Sequence, residues 1–315
     1  MAAAEDFTMR SSMAPCKTSV RRLGWLACAV IATAAGCEPA RIDTVAPNVE
    51  AAKEIRLEIA TKLGTKTEQA PAEEAKKTGW ATLKGRIVVV GTPPSPGPES
   101  VTKDVEVCKP GGHPVMKQTI VVDSATGGLA NVALYALKLT GDNVHESASG
   151  KGDDVLFDQK ECVFLSHLAT MRVGQKLKVL NSDPVSHNTM IAGRQNNLNQ
   201  NLGPGQQLFF EPQKPESVPA AVSCSIHPWM RAYLMPHENG YVTATGKDGT
   251  FEIANLPAGI DLKIQLWHEV LQKKFRDIEV DGKKQSLSNG VLPLKLENDE
   301  KKEIEIKIPA AAFGA

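Results

Sequence analysis

Beyond Trp80 the chain runs in short stretches of alternating apolar and polar residues, broken every few positions by glycine, proline or asparagine, with no helix of ordinary length evident. Phe164, Met171, Val173, Leu177 and Val179 alternate in this way, as do Tyr241 to Ala244, Phe251 to Ile253, Leu262 to Leu266 and Ile304 to Ile308. Such alternation puts every second side chain on one face of a sheet, and a half-apolar sheet must bury that face against another. Turn signals fall between the runs at Gly91, Gly174, Asp248-Gly249 and Pro257-Ala258-Gly259. Many short strands at this spacing predict an all-β chain built from two β-sandwiches. Aromatic residues are only 5% of the chain, so the cores must be filled mainly by Val, Leu, Ile and Ala.

The flanks of this pattern divide into segments. Arg86 to Val90 reads as a buried strand, Val105 and Val107 alternate with charged residues up to Cys108, and Ile120 to Asp123 with Val132 to Leu137 read as a hairpin about Gly127-Gly128. Val155 to His237 reads as a second unit, with Asn196 to Asn201 as a polar loop inside it. Upstream, residues 1–36 carry the marks of a signal peptide: Lys17, Arg21 and Arg22 precede an apolar stretch from Leu23 to Ala35 that is short for a membrane span. Ala34-Ala35-Gly36 before Cys37 resembles the lipobox of bacterial lipoproteins, which implies acylation of Cys37; ordinary cleavage and an uncleaved anchor are the alternatives. Residues 37–79 then read as a lipid-anchored linker, with a short helix running from a cap at Asn48 through Val49, Ala52, Ile55, Ile59 and Leu63 to Gly64. These features place the chain outside the cytoplasm, on the periplasmic face of the membrane or the cell surface.

Lys and Arg number 36 against 36 for Asp and Glu, and no stretch interleaves basic with aromatic residues, which argues against nucleic acid as a partner. Of six cysteines, Cys16 and Cys28 belong to the signal segment and Cys37 to the lipid site, while Cys224 lies in a metal-binding pattern. Cys108 and Cys162 remain and pair as a disulfide in an oxidising compartment, the alternative being two buried thiols.

The chemistry is concentrated in Cys224-Ser225-Ile226-His227-Pro228-Trp229-Met230, where a thiol, an imidazole and a thioether recur at spacings of three. His187, thirty-seven residues upstream and following a strand-like run, completes a His, Cys, His set with a weak Met, which suits copper in electron transfer. Each residue alone has a bland alternative: Cys-x-x-His is half of many zinc sites, a Met beside a Trp is commonly core, and a single His is commonly structural. Their joint order singles them out. His167, His237 and His268 have no ligand spacing, and His113 and His145 lie in loops.

With these residues in view, the run from Met171 to Asn181, then His187-Asn188, then Cys224 to Arg231, resembles a cupredoxin of the amicyanin and plastocyanin branch. The resemblance covers residues 152–245 and implies a Greek-key β-sandwich with one type 1 copper held by His187, Cys224, His227 and axial Met230. It implies that Asn188 ties the two ligand loops together, and that His227 lies near the surface beside an apolar rim of Pro228 and Trp229 where a redox partner, such as a c-type cytochrome or a dehydrogenase, docks. Ala221-Val222-Ser223 departs from the aromatic residues usual before the cysteine.

Residues 82–88 and 242–259 resemble carboxypeptidase-regulatory-like or transthyretin-like β-sandwich modules, which makes 80–145 and 246–315 the strands of a flanking sandwich. The whole is similar to secreted bacterial proteins often labelled methylamine-utilisation proteins. A membrane-tethered electron carrier is the leading expectation; copper storage or delivery and a non-redox surface module are the alternatives. No nucleophile elbow, phosphate loop or zinc-protease motif points to an enzyme.

Overall fold

The computed structural model describes Glu50, Glu54 and residues 77–314. The signal segment, Cys37 and most of the linker lie outside these; of the expected helix, Glu50 and Glu54 are described and both are helical. Among the described residues no helix is long and apolar enough to cross a membrane.

The described chain is nearly all β, in two five-stranded and two four-stranded sheets. Strand Gly79–Val90 pairs antiparallel with Thr250–Ala258 and in parallel with Lys301–Pro309, so segments from opposite ends of the described chain share one sheet. Phe275–Val280 and Lys283–Leu287 complete it. The facing sheet runs Val242–Ala244, Ala133–Ala136, Asp261–Trp267 and Val291–Lys295. Alternation does the work expected of it: Leu83, Ile87, Leu134, Ile264 and Ile306 point inward and are fully buried in one core.

Ala133–Ala136 pairs with Val242–Ala244, and between them in sequence the chain from Val155 to His237 leaves this sandwich and returns, while Leu139, Ala148 and Tyr241 stay in its core. The excursion builds the second sandwich. Its larger sheet runs Leu168–Arg172, Arg231–His237, Ala220–Ser223, His187–Ala192 and Asn197–Leu202; the smaller runs Val163–Phe164, Val155–Lys160, Leu177–Asn181 and Gln207–Phe210. Phe157 and Phe164 stack at 5.1 Å in its core beside Leu177, Val179, Val222 and Leu234. A third cluster, Ala133, Tyr135, Leu168, Met235 and Trp267, joins the two sandwiches face to face. Tyr135 Oη donates to the Ser217 carbonyl across that seam at 3.1 Å, and Tyr233 meets Trp267 edge-on at 4.9 Å. The inserted sandwich is therefore seated on its host by packing.

Three local expectations are corrected. Ala133–Ala136 pairs with Val242–Ala244 and Asp261–Trp267, not with residues 120–123, because the turn at Asp123 closes early: Gly127 and Thr126 bond back to Asp123, and Asp123 N–H reaches the Gly128 carbonyl. Val105–Cys108 is one helical turn, entered through Asp104 at φ 47. Of the loop expected at 196–201, all but Asn196 belongs to an edge strand, Asn197–Leu202, on His187–Ala192, where polar side chains meet water at no cost.

Gly249 marks a tight backbone approach in the host sandwich. It sits at φ +81, and a Cβ there would lie 2.3 Å from the Ile87 carbonyl oxygen. Gly249→Ala therefore combines left-handed strain with a clash against backbone and is expected to cost about 2 kcal/mol or more, read as a lowered denaturant midpoint with an unchanged slope.

Candidate metal centre

Two loops at one end of the inserted sandwich bring the predicted ligands together. The first follows strand Leu177–Asn181 and is shaped by the fully buried Asn181, whose Nδ2 donates to the carbonyls of Val185 (2.8 Å), Leu202 (3.1 Å) and Gly203 (3.0 Å). Its Oδ1 accepts from the Asp183 amide at 3.0 Å. With the loop thus fixed, His187 is the first residue of the next strand and points inward, wholly buried.

The second loop joins Ala220–Ser223 to Arg231–His237. It is pinched by Cys224 N–H to the Met230 carbonyl (3.2 Å) and Met230 N–H to the His227 carbonyl (2.9 Å), while Pro228 fixes one φ within it. Cys224 (2% exposed), His227 (0%) and Met230 (1%) all face the core.

His187, Cys224 and His227 converge, with one donor atom from each inside a 4.8 Å cluster. His187 Nδ1 and His227 Nδ1 are 2.9 Å apart, and Cys224 Sγ is 3.9 Å from His227 Nδ1. Asn188 ties the loops together: its amide donates to Cys224 Sγ at 3.2 Å and its Oδ1 accepts from the Ser225 amide at 3.2 Å. Its Nδ2 is held by Asn199 and Asn201 on the edge strand. The His227 amide is also directed at Cys224 Sγ, 3.4 Å away, so two fixed N–H dipoles favour a thiolate there.

Two carboxylates absent from the sequence-based site hold the far nitrogens of the imidazoles. Asp183 Oδ2 bonds His187 Nε2 at 2.7 Å, and Asp104 Oδ2 bonds His227 Nε2 at 2.8 Å. Such partners fix the tautomer and raise ligand basicity, leaving each Nδ1 to the metal. Asp183 had a faint signal, four residues before His187; Asp104 is 123 residues from His227 and had none.

Charge is distributed unevenly between the imidazoles. Burial opposes a charged His187, but Asp183 and Cys224 outweigh it and push its pKa up to about 9. Burial holds His227 below the ordinary histidine value despite Asp104, and the charge on His187 adds to this. Burial alone would raise the Cys224 thiol; hydrogen bonds from His187 and the Asn188, His227 and Ile226 amides reverse this and hold it low. His187, whose Nδ1 stands 2.9 Å from His227 Nδ1, is thus the more readily protonated of the two imidazoles.

The expectation that His227 lies at an accessible rim is corrected. Residues 98–119 fold across that end, Asp104 seals the His227 edge, and a disulfide joins Cys108 to Cys162 beneath it. Trp229 is only 8% exposed, its Nε1 donating to the Cys162 carbonyl at 3.1 Å; Pro228 remains exposed. A cavity of about 500 Å³ lies between this cover and the loop, walled by Met116, Lys117, Trp229 and Met230 and, farther out, His167 and Glu269. Of the other histidines, His237 lies between the Asn239 and Ala136 carbonyls and braces the seam, whereas His167 pairs with Glu269. Neither joins the cluster.

The donor set, one thiol with two imidazoles in a dry pocket and a methionine on the same loop, matches what copper requires in electron transfer. No family model and no curated protein matches the chain. Solved structures similar to part of it include a mutant of amicyanin in its Cu(I) form, 13% identical over 33% of this chain and 98% of that one at TM-score 0.24. A purple cupredoxin from Nitrosopumilus maritimus is 17% identical over 26% and 99% at TM-score 0.23. A Cu-containing nitrite reductase from Thermus scotoductus is 21% identical over 27% of this chain but spans only 22% of its own length here, at TM-score 0.25. At these levels the likenesses carry nothing about the site, whose chemistry rests on its own residues.

Because a metal must displace the proton that His187 carries, its apparent affinity is expected to rise with pH, by about tenfold per unit from this proton alone, and to level off near pH 9. The same shift stabilises the metal-free fold fully below His187's ordinary value of 6.5, a contribution lost as pH rises through about 9. Chelator competition across this range checks the first claim and denaturant melts the second; pH-independent affinity below pH 9 contradicts the assignment of the proton.

Proposed function

We propose that the inserted sandwich holds one copper ion between His187 Nδ1, Cys224 Sγ and His227 Nδ1, with the Met230 thioether as weak axial ligand, and that the chain carries single electrons outside the cytoplasm. The observation that carries this reading is the convergence of three buried donors, each already fixed by a second hydrogen bond. Copper would supply a one-electron couple. The protein supplies rigidity: Asp183 and Asp104 clamp the imidazoles, Asn188 clamps the two loops, and the pinch from Cys224 to Met230 fixes the ligand loop. Little then has to rearrange when the charge on the metal changes.

Full burial of His187 and His227 favours a carrier over a delivery protein, since a delivered ion must leave past the cover. We place the chain at the membrane through lipid on Cys37, exchanging electrons with a protein partner such as a c-type cytochrome or a dehydrogenase. Pro228 and its exposed neighbour Ser225 would offer contact points, with Trp229 behind them.

Protein loaded with Cu(II) is expected to show an intense thiolate-to-copper absorption in the visible, and Cys224→Ser to abolish it. Copper binding without that band would sink the proposal. Asp183→Asn is expected to keep the band but weaken copper binding by about 10- to 100-fold, the usual loss when the partner of a ligating histidine is removed. Chelator competition reads this directly.

A further inference from the structure

The disulfide does not lie apart from the candidate metal centre. Cys108 and Cys162 are both fully buried, and their sulfurs group with a ring nitrogen of His227 inside 4.8 Å. Cys162 also groups within the same distance with Asp183 and His187. The bridge thus stands against both histidines of the first site. As a disulfide, the two sulfurs are poor ligands; as thiolates, they are the donors that select monovalent copper.

We infer that reduction of the Cys108–Cys162 bridge creates a second, soft metal site from the two thiolates of Cys108 and Cys162, able to take one further Cu(I). This rests on the reading of the first site as a copper centre. The step balances with a dithiol as reductant: its two thiols become a disulfide, the Cys108–Cys162 bond breaks, and two electrons and two protons pass to the two sulfurs. Cu(I) entry then releases those protons as each sulfur becomes a thiolate. Residues 115–119, seven and more positions beyond Cys108 on the same cover, and Val163, next to Cys162, line the cavity of about 500 Å³, so a reductant has an approach from that side.

The backbone around Cys162 suits this role. Glu161 and Cys162 both sit at φ 54, and their amides are held on Asp183 Oδ1 (2.7 Å) and Oδ2 (2.8 Å) independently of the bridge. Trp229 Nε1 adds a third restraint on the Cys162 carbonyl. Cys162 therefore keeps its place when the bridge opens, and only Cys108, on its single helical turn, gains freedom.

The test uses the full chain in two states, oxidised and reduced by a small dithiol that is then removed without oxygen. Each is titrated with Cu(I) against a chromophoric Cu(I) chelator. Reduced protein is expected to hold one equivalent more than oxidised protein, with a higher copper–sulfur count by X-ray absorption, and the gain is expected to vanish in the Cys108→Ser/Cys162→Ser variant. Equal counts in the two states overturn the inference, as does a gain that persists in the variant. Should the variant not fold, the comparison on the unmodified chain still decides. The electron-carrier reading is judged separately by the visible band of oxidised, Cu(II)-loaded protein: a band without the gain refutes only the second site, and the gain without a band refutes only the carrier.

Discussion

One buried carboxylate organises the metal-binding end of this molecule. Asp183 is 5% exposed and accepts from His187 Nε2, from the Glu161 amide and from the Cys162 amide. Its own hydrogen bonds with His187 and the two amides hold its pKa low although burial opposes this, so it is a charge inside the protein. A buried charge is tolerated only when its lone pairs are filled, and here they are filled by the groups whose positions matter. Two successive residues in the left-handed region, uncommon for any residue but glycine, aim their N–H groups as an anion-binding nest. Strain at residues 161–162, the seat of the disulfide and the orientation of His187 are thus one interaction.

The host sandwich explains how such a site is kept stiff. An inserted domain is tied to its host by two chain crossings, which alone would leave a hinge. Here Met235 and Leu168 from the insert pack against Tyr135 and Trp267 of the host, and His237 reaches across to the Ala136 carbonyl. The strand that ends in this seam, Arg231–His237, begins one residue after Met230. Rigidity in the seam therefore passes along a single strand to the ligand loop.

What was legible in the sequence was what is local. Alternation in residues 177–181 or 304–308 needs only the pleat of a strand, and the spacing of Cys224, His227 and Met230 needs only one loop. The helical turn at Val105–Cys108 was not legible because four residues cannot show a helical period. Residues 197–201 were misread because a single apolar residue, Leu198, stands among asparagines and a glutamine there; their role, presenting Asn199 and Asn201 to Asn188, exists only once the strand is paired. The cover over His227 was invisible for a deeper reason: Asp104 meets its partner only after the chain has left the host sandwich and built the insert.

That cover alters the electrostatics expected of the centre. With Cys224 as thiolate and the Asp183 and Asp104 carboxylates against the imidazoles, three anionic groups surround a place for one cation. Anionic neighbours stabilise the higher charge on a metal through Coulomb attraction, more so in a dry site than in water. Burial acts in the same sense, because with three such anions the site bears more net charge when the metal is monovalent than when it is divalent, and low dielectric penalises the larger charge. Both effects favour the oxidised ion, and only the weak thioether of Met230 and the amide hydrogen bonds to Cys224 pull the other way, by drawing electron density off the thiolate. An aspartate closing the imidazole edge would thus both cover His227 and shift the couple of a bound copper toward the divalent state, so the same residue would bear on where an electron could cross and how strongly it would be held.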